Sequence, residues 1–106
     1  ESIVAVDHDV VKIDIAYSVT IDGIVAVVER AESHIFLQIG LLIGKTYSPV
    51  FVQKVSEADV IRGERGSIGI IVRIAQPQNI SDIDIDRESH FRHIIRNSGA
   101  AGILII

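Results

Sequence analysis

Residues 10–20, VVKIDIAYSVT, alternate Val11, Ile13, Ile15, Tyr17 and Val19 with Lys12, Asp14, Ala16 and Ser18. A period of two puts one row of side chains on each face of an extended strand, and the apolar row faces a core. Ile21-Asp22-Gly23 follows at once. Asp-Gly is the chemistry of a two-residue hairpin turn, so residues 24–28 return as the antiparallel partner. A chain carrying this hairpin needs a sheet to put it in. Its composition agrees, with 21 Ile and 13 Val against 4 Leu, because β-branched side chains suit a pleated, half-buried surface better than a helix.

Further along, residues 34–43 predict a strand, Tyr47-Ser48-Pro49 a turn, and residues 50–55 another strand. Ser56, with Asp59 three positions on, is expected to cap a single helical turn that Gly63 ends. Residues 66–75, GSIGIIVRIA, read as a strand that Pro77 breaks, and Ile and Asp alternate over residues 80–85. The period then changes. Residues 86–98, DRESHFRHIIRNS, predict the main helix: Asp86 caps it, Glu88 suits its positive end, and Asn97-Ser98-Gly99 stops it. Phe91, Ile94 and Ile95 form its apolar stripe, from which Arg92 and Arg96 fall away. Residues 103–106 make a short buried strand. The expected architecture is one α+β domain over residues 1–106, mostly antiparallel β-sheet with one main helix near the C-terminus.

The net charge of −4, from 14 acidic and 10 basic residues without a block of one sign, argues against a nucleic-acid partner. Apolar runs are far shorter than the roughly 20 residues of a membrane-spanning helix, so no membrane partner is expected. The start, ESIVAVDHD, lacks the basic and small-residue features of a signal peptide, and the sequence reads as soluble. Without Cys, thiol chemistry and thiolate metal sites are excluded; the compartment stays open, with a reducing, cytoplasmic one favoured.

Several motifs invite chemistry and fail on spacing. In IGLLIGKTYSP, Gly40 and Gly44 enclose only Leu41, Leu42 and Ile43, where a phosphate loop needs four intervening residues and a following helix. Asp82, Asp84 and Asp86 match the first ligands of a calcium loop, but Arg87 stands where its Gly is required and His93 where its Glu belongs. His90 and His93 share a helix face near Glu88, with Asp7-His8-Asp9 as further candidates, yet nothing in the spacing specifies a third ligand. No G-x-S-x-G elbow exists for a nucleophile. Gly63, Gly66 and Gly69 recur in RGERGSIG and read as a turn entering a strand more simply than as an anion cradle. The expectation is no catalytic residue, no metal and no cofactor.

Three segments in order resemble the FKBP-type prolyl isomerases, especially the bacterial SlyD branch. These are IAYSVTIDG (residues 15–23), FLQIGLLIG (36–44) and YSPVFVQKV (47–55). The resemblance implies a hydrophobic cleft that binds unfolded or proline-containing peptides, with Tyr17, Phe36, Leu42, Ile43 and Tyr47 lining it. The family's cleft Asp has no counterpart among residues 25–28, so the implied enzyme is at most a weak peptidyl-prolyl isomerase. A second likeness joins GSIGIIVRI (66–74) to FRHIIRNSGAAGILII (91–106), similar to the strand, helix and Gly-Ala-Ala-Gly strand of protease-associated domains. It implies a non-catalytic interaction module. The absence of Met, Trp and Cys beside the isoleucine bias also fits a designed scaffold with no biological function.

Overall fold

The computed structural model describes residues 13–74 and 77–106. Strands β1 (Ile13–Ile21) and β2 (Ile24–Ala31) form the expected hairpin. Asp22 and Gly23 both take positive φ, 52° and 78°, as a turn matching the twist of its strands requires. Strands β3 (His34–Ile43) and β4 (Thr46–Val55) complete an antiparallel sheet in the order β1-β2-β3-β4. Gly44, with φ 64°, opens the turn between them, so Gly-Lys-Thr is a hairpin end.

Tyr47-Ser48-Pro49, expected as a turn, lies inside β4 instead. Pro49 is tolerated because β4 is an edge strand and its register slips there. Gly40 pairs with Pro49 and Ile39 with Phe51, leaving Val50 as a bulge.

The second sheet has the order β5-β6-β7, from β5 (Glu57–Arg62), β6 (Ile68–Arg73) and β7 (Ala101–Ile105). β5 runs antiparallel to β6; β7 runs parallel to it, across the connection made by helix α1 (Asp82–Ser98). Only Ser56 separates β4 from β5, and the helical turn expected there is absent. Burial explains this: Ala58 and Val60 pack toward the first sheet while Ile61 packs toward the helix, a period-two demand that a helical turn does not meet.

α1 begins at Asp82, earlier than expected. The Ser81 hydroxyl accepts a hydrogen bond from the Asp84 N–H at 3.2 Å, and Asp82 and Asp84 occupy the first turn. The Ile and Asp alternation had no second face to bury: Ile83 and Ile85 stay exposed, and the cap with its acidic first turn decides for helix. Gly99, φ 69°, closes it.

The described residues form three layers, in an α+β architecture that is mostly antiparallel sheet with its helix near the C-terminus. Val19, Ala26, Val28, Leu37 and Val55 of the first sheet meet Ile68, Ile70 and Val72 of β6. On the far side of β6, Ile61 and Ile71 take Phe91 and Ile95 of α1. Covered from both sides, β6 is buried along its whole length, the condition that produces a continuous apolar run. The helix stripe is narrower than expected. Ile95 is sealed, Phe91 is half-buried, and Ile94 faces outward. Arg92 turns in rather than away, toward Asp59 and Glu88.

Candidate functional site

The strands of the two sheets cross. β5 lies toward one end of the larger sheet, where Ala58 and Val60 meet Tyr17, Val28 and Ile35. β7 lies toward the other end, where Ile103 borders one depression with Val19, Ile21, Ile24 and Ala26. Beyond β7, no other described element lies over the larger sheet on this face. Ile21, Ile24 and Leu41 are direct register partners across three strands and are 42%, 50% and 45% exposed, on a face that is core elsewhere. A depression of about 280 Å³ lies beside them under β7. The Leu42 N–H donates to the Gly23 carbonyl at 2.8 Å and ties the two hairpin tips together. Among the described residues β7 pairs with β6 alone, so the other side of its backbone is an open edge.

The five residues expected to line a peptide cleft occupy two faces and a tip. Tyr17 faces the second sheet, with the Arg62 guanidinium 5.5 Å from its ring centre. Register puts Tyr17 opposite Val28 and Val28 opposite Leu37; Phe36, one residue off, therefore faces the other way. Phe36 makes an edge contact with His34 at 6.4 Å. Tyr47 shares that outer side: its ring covers Gly40, and its hydroxyl donates to Gln38 Oε1 at 2.9 Å. Burial and then the charge of Glu29 push the Tyr47 phenol up from its ordinary value. Leu42 and Ile43 stand at the uncovered tip.

One constellation escaped the sequence reading. Arg73, almost fully buried at the end of β6, donates to Asp59 Oδ2 at 2.9 Å and to Glu88, and lies 3.4 Å from Glu57. Arg92 joins the same carboxylates, 3.0 Å from Glu88 and 3.2 Å from Asp59. Burial pushes Glu88 up, but hydrogen bonds and charge from Arg73 and Arg92 outweigh it and hold the carboxyl below its ordinary value. An arginine inside the apolar run GSIGIIVRIA was the available signal. Its partners are 14 and 15 positions away and only the fold assembles them. Two guanidinium and three carboxylate groups satisfy one another here, a clamp of α1 on the sheet rather than an acid–base site.

The recurrent glycines also have a structural use. A Cβ on Gly63 would sit 2.2 Å from the Ile95 carbonyl oxygen, and one on Gly69 would sit 2.7 Å from Ile95 Cγ1. The Ser67 hydroxyl donates to that same carbonyl at 2.6 Å. Asp82, Asp84 and Asp86 lie along the start of α1, and Asp84 pairs with Arg87 at 3.3 Å. His93 contacts Asn97 at 3.2 Å. Among the described residues no three His, Asp or Glu side chains gather to hold a metal ion; Asp7-His8-Asp9 lies outside them. Among the same residues no helix is long and apolar enough to cross a membrane. No protein-family model matches the chain, and no curated protein or solved structure does.

Proposed function

We propose that the chain is a non-catalytic binding module that takes an extended apolar segment of a partner polypeptide along β7. The supporting observation is the exposed row Ile21, Ile24 and Leu41, on the face of the larger sheet that the smaller one leaves bare. An added strand would satisfy the open backbone of β7 while alternate side chains settle on that row, the mode in which main-chain bonds supply affinity and pockets supply selectivity. The likeness to prolyl isomerases extends the candidate ligands to unfolded and proline-containing segments.

A short, Val-rich, fluorescein-labelled peptide titrated by anisotropy tests the reading. Saturable binding is expected, abolished by Ile24→Lys or Leu41→Lys and retained by Ile85→Lys on the exposed side of α1. Unchanged binding by Ile24→Lys overturns it. Prolyl isomerisation is expected to be weak or absent, because the cleft Asp that orients the peptide in the family is missing. A protease-free X-Pro relaxation assay checks this, since uncatalysed rotation is slow enough for any acceleration to be visible. Robust acceleration that disappears in Tyr17→Ala would replace binding by catalysis.

A further inference from the structure

The gap between the sheets opens at a second place, at the opposite end of the larger sheet from Ile21, Ile24 and Leu41, and its chemistry is different. A slot of about 150 Å³ is walled by Tyr17, Val28, Ile35, Ala58 and Val60, with Arg30 at its mouth. Arg30 and Ile35 also border an adjoining polar bowl of about 500 Å³ that contains His34, Lys54 and Glu57. Glu57, the one carboxylate bordering that bowl, already faces Arg73 at 3.4 Å. Among the described residues, Arg30 has neither an ion pair nor a side-chain hydrogen bond, and its side chain is exposed.

Each half of the site selects for part of a ligand. A cavity of about 150 Å³ is large enough to admit benzene, so the slot has room for one aromatic ring. The Tyr17 ring forms part of its wall and carries the Arg62 guanidinium 5.5 Å from its centre. At the mouth, a guanidinium presents a planar fork of donors that matches a carboxylate. We infer that this slot and bowl form a binding site for a small aryl carboxylate, its ring between the sheets and its carboxylate on Arg30. The site is independent of peptide binding at β7 and shares no residue with it.

Phenylacetate, compared with its uncharged analogue phenylacetamide, provides the test. In an amide-resolved NMR titration, phenylacetate is expected to give saturable shifts at Val28, Arg30, Ile35 and Val60, weakening as salt rises. Arg30→Gln, an exposed change that leaves the slot intact, should weaken phenylacetate binding by about tenfold or more and leave phenylacetamide unaffected. Val60→Phe, which fills the slot, should remove both. Equal affinity of the parent for the two compounds, an Arg30→Gln protein that binds phenylacetate like the parent, or shifts that never saturate would each overturn the assignment.

Discussion

The smaller sheet is packed on both sides, and the two seams are unlike. Against α1 the fit is closed by removing side chains: Gly63 and Gly69 let the Ile95 turn approach to distances that no Cβ would allow, and Gly102 lies under Phe91. Against the larger sheet the fit is made by adding side chains, Val and Ile from both faces, and it stays open at both ends. Size accounts for the difference. Strands of 8 to 10 residues extend for about 30 Å, whereas three crossing strands are only about 15 Å wide. A sheet that narrow seals the middle of the larger one and leaves its ends bare. Helix packing can be completed residue by residue with glycine; a mismatch in sheet dimensions cannot.

That contrast can be broken experimentally, beginning with the closed seam. Ile95→Ala removes the one fully buried side chain of α1 and should cost about 2–5 kcal/mol in urea unfolding. A variant as stable as the parent would mean the helix is held elsewhere. Gly63→Ala should cost about 1–3 kcal/mol, because the new methyl group meets the Ile95 carbonyl, a backbone group that cannot rotate out of its way. A neutral result would show that the seam has slack, and the contrast with the open gap would blur.

Glu88→Gln probes the charged clamp beside the seam, with an expected cost of about 1 kcal/mol at neutral pH. The sign of its pH dependence follows from linkage. The folded-state pKa of Glu88 lies below its ordinary value of 4.5, so its contribution is present above that pH and disappears as pH falls through the folded value. Unfolding midpoints measured across the acid range should fall less steeply for the variant than for the parent. Parallel curves would remove Glu88 from the clamp. Smallest of all should be the stability effect of Ile24→Lys at the uncovered tip, within about 0.5 kcal/mol by the same urea measurement, even as peptide binding is lost. A large destabilisation there would show that the tip is core after all.

Local chemistry was legible wherever a segment's own residues decided its state. The period of two through Tyr17, the Asp-Gly turn with its positive φ, and the Asn-Ser-Gly stop of α1 are demands that neighbouring residues make on one another. Misreadings arose where a distant surface decided. Pro49 looked like a turn because nothing nearby tells that β4 is an edge with a bulge. Residues 56–62 looked helical because only two facing cores reveal why Ala58, Val60 and Ile61 must alternate. Strand parity, which only the pairing register settles, places Tyr17 on one face of the larger sheet and Phe36 and Tyr47 on the other.

By itself the sequence determined the sheet-rich α+β class, the first hairpin and the presence of one helix before a last short strand, because β-branching, turn residues and caps act within a few positions. Tertiary structure alone decided that the glycines of RGERGSIG make room for α1, that Arg73 gathers Asp59 and Glu88, and that Ile21, Ile24 and Leu41 remain uncovered. Each of these depends on how far one layer reaches across another. That distance is set by the sizes and crossing of whole elements, and no single stretch of the chain encodes it.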